Sequence, residues 1–146
     1  MNIIQRALEG KFTLIGEIGV NYYDIAKENG ITPMKACELM IDKAAEAGMH
    51  AVKFQTYKAN KIAAKQSPSY WDTSEEKTTS QFELFSKYDS FDFEDYHMLK
   101  EYCDKKNIEF LSTAFDNDSA DYLNELMDIY KISSSDLSNI PFIEYQ

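Results

Sequence analysis

His50-Ala51-Val52-Lys53-Phe54-Gln55-Thr56 decides the fold. The run is short, apolar at its start and polar at its end, and it follows Gly48 almost at once, so it reads as a buried strand. The helix before it is equally legible. Thr32 is a good N-cap and Pro33 suits the first helical position. Cys37, Met40, Ile41, Ala44 and Ala47 recur at steps of three and four, which gives one apolar face, and Gly48 ends the helix. Upstream, Phe12-Thr13-Leu14-Ile15-Gly16-Glu17-Ile18-Gly19 is another short apolar run, bounded by Gly10 and the polar Asn21-Tyr22-Tyr23-Asp24. Strand, helix and strand in such close succession imply parallel pairing through a crossover.

The same alternation continues downstream. Residues 57–80 are polar, carry Pro68, Tyr70 and Trp71, and show no period, which points to an ordered loop at a working site. A short amphipathic piece around Phe82, Leu84 and Phe85 leads to a helix over about 92–106, capped by Asp92 or Ser90 and lined by Phe93, Tyr96, Leu99 and Cys103. Ile108-Glu109-Phe110-Leu111-Ser112-Thr113 is the third strand. Asp116 caps a helix through Leu123, Leu126 and Met127, and Asp128-Ile129-Tyr130-Lys131-Ile132-Ser133 is the fourth strand. Pro141 then opens a further helix. The order β-α-β-α-β-α-β-(α) predicts an α/β fold, residues 1–146 forming the N-terminal half, four βα units, of a (β/α)8 barrel. A sequence that stops inside a helix reads as part of a longer domain.

Composition limits the partners. The chain has 146 residues, 44% hydrophobic, 14% aromatic and 27% charged, which suits a packed core and argues against disorder. No apolar run approaches a bilayer span, and the first ten residues lack the layout of a signal peptide, so the expected location is cytoplasmic. A formal charge of −10 repels nucleic acid and anionic membrane, and neither is expected as a partner. Cys37 and Cys103 form no CxxC pair and read as buried thiols.

The chemistry-bearing residues gather at the strand ends, where parallel α/β folds build their sites. Glu17 ends the first strand, Lys53 and Gln55 the second, Ser112 and Thr113 the third, and Lys131, Ser133 and Ser134 the fourth. Lys53 lies between Val52 and Phe54, and Lys131 between Tyr130 and Ile132. A buried ammonium needs a carboxylate or a bound phosphate. The hydroxyls of Thr113 and Ser134 at neighbouring ends favour phosphate, with snorkelling to water or a Schiff base as the other readings. Glu17 can serve as an ion-pair partner of either lysine, or orient a hydroxyl and act as an acid or base. His50 stands at the wrong end of its strand, His97 is a helix-face residue, and no histidine spacing suggests a metal ligand. Tyr22 and Tyr23 suit packing better than catalysis. The run Asp92, Glu94, Asp95 suits a solvated helix start.

Ile15-Gly16-Glu17-Ile18-Gly19-Val20-Asn21 resembles the first-strand signature of the N-acetylneuraminate (sialic acid) synthase family. Residues 44–57, with Ala51-Val52-Lys53-Phe54-Gln55-Thr56-Tyr57, resemble the second, and Phe110-Leu111-Ser112-Thr113 the third. Tyr130-Lys131-Ile132-Ser133-Ser134-Ser135-Asp136-Leu137 resembles the fourth, in the form of the bacterial legionaminic-acid or spore-coat-polysaccharide branch. The resemblance implies condensation of phosphoenolpyruvate with N-acetylmannosamine or a related N-acyl amino sugar, giving a nonulosonic acid and phosphate. It makes Lys53, Thr113, Lys131 and Ser134 the phosphoenolpyruvate-binding residues. Gln55 and Asp136 become sugar contacts, and Glu17 the candidate catalytic residue near the sugar carbonyl.

Two positions depart from the family pattern: Tyr22-Tyr23-Asp24 stands where a histidine is frequent, and Ala114 where proline is. The resemblance also implies a divalent metal, Mn2+ or Mg2+, whose histidine ligands come from later strands absent here, and a C-terminal antifreeze-like domain, also absent. The 146 residues are therefore expected to be inactive alone. Open strand edges at both sides of a half barrel predict a homo-oligomer. The rival functions are a non-catalytic sugar- or anion-binding or interaction module, and a Schiff-base aldolase-type barrel.

Overall fold

The computed structural model describes residues 2–146. A short helix α1 (Ile3–Leu8) precedes β1 (Ile15–Gly19), α2 (Tyr22–Asn29) and α3 (Pro33–Glu46). Then come β2 (Ala51–Thr56), the single-turn α4 (Ala59–Ile62), α5 (Gln81–Tyr88) and α6 (Phe93–Lys105). The chain continues through β3 (Glu109–Ala114), α7 (Asn117–Leu123), a 3-10 turn at Ser134–Asp136 and α8 (Ile140–Tyr145). The strands form one parallel sheet in the order β1-β2-β3.

The local chemistry explains the elements. Thr32 is extended and its side chain accepts from Lys35 N–H at 3.2 Å, with Pro33 at the first helical position of α3. Asp92 and Asp95 close a reciprocal capping box at the start of α6. Cys37, Ile41 and Ala44 of α3, and Tyr96, Leu99 and Cys103 of α6, are buried against one face of the sheet. Val52 and Phe54 of β2 and Phe110 of β3 meet them, with the Phe54 and Phe110 rings stacked 5.6 Å apart. Both cysteines are unpaired thiols, and burial pushes Cys103 up to about 12.

Three helices fall where the sequence suggested none, the single-turn α4 among them. In α2, Tyr22 is buried and stacks on Phe91 at 4.7 Å, while the Tyr23 ring meets Tyr88 edge-on, so both tyrosines pack rather than face a site. In α1, the Ile3 N–H donates to Glu109 at 2.8 Å.

The expected fourth strand is not formed: residues 128–133 have no ladder pairing, and the described sheet has three strands where the pattern predicted four. The physical reason lies on the outer edge of β3. Glu109 and Phe115 donate to His50 and Thr56 carbonyls on the β2 side, so by alternation the Ser112 N–H faces the other way. There it meets the sulfur of Met127 at 3.3 Å instead of a strand carbonyl. Ile129 and Tyr130 still pack against the core, and Ser133 is buried. The segment keeps its apolar contacts without its ladder.

Candidate active site

Side chains alternate across a strand, so β2 sends Val52, Phe54 and Thr56 to the helix-covered face and Lys53 and Gln55 to the opposite one. Register brings the neighbours into line. Glu17 pairs with Lys53 across β1 and β2, and Gln55 pairs with Thr113 across β2 and β3. The Lys53 ammonium lies 2.5 Å from Glu17 and donates to the Thr113 hydroxyl at 3.3 Å, so one cation joins all three strands. Its side chain is 14% exposed and that of Glu17 is 48% exposed, which leaves the carboxylate as the open side of the pair.

Between Glu17 and Gly19 the register shifts, and Gly19 rather than Ile18 pairs with Phe54. Gly19 has a φ of 57°, and a Cβ there would stand 3.3 Å from both the Gln55 amide and the Glu17 carboxylate. The bulge therefore needs glycine twice over, for its backbone and for the space beside the two side chains.

Past the carboxyl ends of the strands lies a cavity of about 680 Å³. Gln55 and Asp136 line it together with Tyr57, Tyr70, Phe85 and Phe115. Asp136 accepts from Asn139 at 3.5 Å through Oδ1, while its buried Oδ2 has no partner. Burial, with the Asp89 carboxylate adding to it, pushes the Tyr57 phenol up, so it stays a donor, here to the Phe85 carbonyl at 3.5 Å. Beside the cavity, Lys58 ties the loop after β2 to the start of α6 through Asp89 at 3.0 Å, Asp92 at 2.9 Å and the Phe91 carbonyl at 2.8 Å.

Of the residues singled out in the sequence, the structure joins Glu17, Lys53 and Thr113 in one contact group, and Gln55 with Asp136 in one cavity. It does not bring Lys131 or Ser134 to them. Both are exposed, and Lys131 makes no ion pair among the described residues. His50 accepts from Leu14 N–H at 2.9 Å, a tie at the amino end of the sheet. No group of three His, Cys, Asp or Glu side chains that could hold a metal ion is found among the described residues. Apart from Tyr70, whose loop already read as part of a working site, the aromatic walls and the Lys58 clamp escaped the sequence reading. Only the unusual density of Tyr, Trp and Phe between 57 and 96 hinted at them.

Known proteins resemble this chain over most of its length. The N,N'-diacetyllegionaminic acid synthase of Campylobacter jejuni is 35% identical over 138 residues, covering 92% of this chain and 38% of that protein. The corresponding protein of Legionella pneumophila is 31% identical over 135 residues, covering 90% and 35%. The crystal structure of an N-acetylneuraminic acid synthetase from Leptospira borgpetersenii, in complex with citrate, superposes with a TM-score of 0.68 at 29% identity, over 90% of this chain and 39% of that one. The chain thus spans between a third and two-fifths of these three relatives, and its parallel sheet is part of a barrel. The NeuB family model matches residues 40–146, and the chain belongs to the NeuB family.

Proposed function

We propose that the chain carries one half of an active site that condenses phosphoenolpyruvate with N-acetylmannosamine or a related N-acyl amino sugar. The single observation that carries the reading is the Lys53 ammonium, held by Glu17 and Thr113 on the open face of the sheet. A cation prepositioned with a hydroxyl is suited to a phosphate or carboxylate, and charge-assisted contacts of this kind are the strong ones. Lys131 and Ser134 complete the anion site where residues 128–133 take the place beside β3 that Met127 now holds. In the reaction a C–C bond forms between C3 of phosphoenolpyruvate and the sugar aldehyde carbon, one water enters, and phosphate leaves. Glu17 faces the carbonyl end of that path, able to hold or move a proton at the sugar oxygen. Gln55 and Asp136, both in the cavity lining, supply hydrogen bonds to sugar hydroxyls or amide.

Glu17 and Thr113 already engage the Lys53 nitrogen, which favours a bound anion over an imine there. Borohydride with a keto acid should therefore leave Lys53 unmodified. The exposed Leu14 just before β1 and Ile15 on it, a strand with one neighbour among the described residues, support the expected self-association.

The test is phosphate release from phosphoenolpyruvate, N-acetylmannosamine and Mn2+. It is measured for these 146 residues and for a version carrying all eight strands. Release by the eight-stranded version alone is the expected result. Comparable turnover by the 146 residues would refute the half-site, and no release by either with any amino sugar would refute the function.

A further inference from the structure

Residues 67–81 form a closed strap, and its Tyr70 and Gln81 line the cavity. Pro68 and Ser80 make an isolated antiparallel bridge, Gln81 N–H donates to the Ser67 carbonyl at 2.8 Å, and Ser69 N–H to the Thr79 carbonyl at 3.3 Å. Inside the strap, the Trp71 indole donates to the Thr78 carbonyl at 3.1 Å. Outside it, Lys87 of α5 holds Glu76 at 2.7 Å. A segment tied at both ends, across its middle and to a helix is preorganised, so a ligand pays little ordering entropy to use it.

The strap presents one large hydrophobic side chain to solvent. Tyr70 is 76% exposed, its ring braced edge-on by Trp71 at 5.1 Å, and it lines the cavity that Gln55 and Asp136 share. An aromatic ring left open beside hydrogen-bonding groups is how sites grip ligands that are apolar on one side and polar on the other. The charges in the cavity narrow the ligand further. Its one lysine, Lys61, is already paired with Asp118 at 2.9 Å, and Asp136 adds a carboxylate, so a phosphorylated sugar finds no free cation there.

We propose that Tyr70 is a specificity-determining residue, a platform that packs on the apolar face and N-acyl groups of a neutral amino sugar, in a cavity whose already paired Lys61 and whose Asp136 disfavour its phosphorylated form. This rests on the reading of the cavity as the sugar site. Trp71 is the single tryptophan of the chain, so its emission reports on the strap directly.

The experiment titrates the wild-type chain, Tyr70→Phe and Tyr70→Ala with three sugars, following Trp71 emission and, independently, calorimetric heat. The sugars are N-acetylmannosamine, its 6-phosphate, and a 6-deoxyhexose with two acetamido groups. Circular dichroism confirms that each exposed-site variant is folded. Neutral sugars should bind the wild type and Tyr70→Phe alike, bind Tyr70→Ala about tenfold more weakly, and bind better than the phosphate. Equal binding by Tyr70→Ala, or preference for the phosphorylated sugar, overturns the inference alone. No binding of any sugar to the wild-type chain overturns it together with the reading of the cavity.

Discussion

Glu17 and Lys53 are register partners on adjacent parallel strands, and their side chains meet at 2.5 Å on the open face of the sheet. The pair stands where the two strand signatures of the sequence come together. Because Glu17 is about half exposed, water screens the attraction, and its contribution to folding should be small. Glu17→Gln should therefore shift stability by no more than ~1 kcal/mol and leave phosphoenolpyruvate binding in place. In an eight-stranded enzyme its effect should fall on kcat. Denaturant melts and steady-state kinetics check this. A rise in KM with kcat unchanged would move Glu17 from the reacting carbonyl to simple binding.

Gly19→Ala tests whether the bulge shapes the site. The substitution puts a Cβ at a positive φ and against Gln55 and Glu17. It should cost roughly 1–2 kcal/mol in a denaturant melt and weaken sugar binding by moving the Gln55 amide. Unchanged stability and binding would mean that the backbone relaxes freely there.

Met127 substitutes for a strand at the edge of β3, since the Ser112 N–H bonds to its sulfur. Met127→Ala removes a buried side chain and should cost about 2–4 kcal/mol. Met127→Leu keeps most of the volume and should cost less than about 1.5 kcal/mol. Thermal or urea unfolding of the two variants measures the difference, and equal costs would show that packing is not what holds the segment.

How much of this was legible beforehand follows from where each signal is local. The α3 cap at Thr32, the apolar stripe through Cys37, Ile41 and Ala44, and the burial of Val52 and Phe54 are read from neighbours a few residues away. The α2 helix was hidden because Asn21-Tyr22-Tyr23-Asp24 looks like a polar turn, and what fixes it is the stacking of Tyr22 on the distant Phe91. Residues 128–133 have strand composition, yet a strand exists only through its partner, and the β3 edge is taken by Met127. The grouping of Glu17, Lys53 and Thr113 followed from polar ends on parallel strands. The cavity position of Tyr70 did not, because it depends on the Pro68–Ser80 bridge, which carries no periodic signal.

The strap also has a predictable pH response. The hydrogen bond from Lys87, followed by that from Thr78 N–H, holds the Glu76 carboxyl pushed down to about 2 from its ordinary 4.5. A depressed folded value means the tie is fully present above the ordinary value and is lost as the pH falls through the folded one. Trp71 emission should stay flat from neutral pH to about 5 and change only on the way down towards about 2. A transition centred above 4.5 would show that Glu76 does not hold the strap.

The central claim is that Lys53 receives the anion of phosphoenolpyruvate, and calorimetric titration of phosphoenolpyruvate into wild type, Lys53→Arg and Lys53→Ala tests it most directly. Losing a charge-assisted contact worth ~1.5–3 kcal/mol should weaken binding to Lys53→Ala by about tenfold or more, with Lys53→Arg in between. Binding to Lys53→Ala equal to that of the wild type would contradict the account.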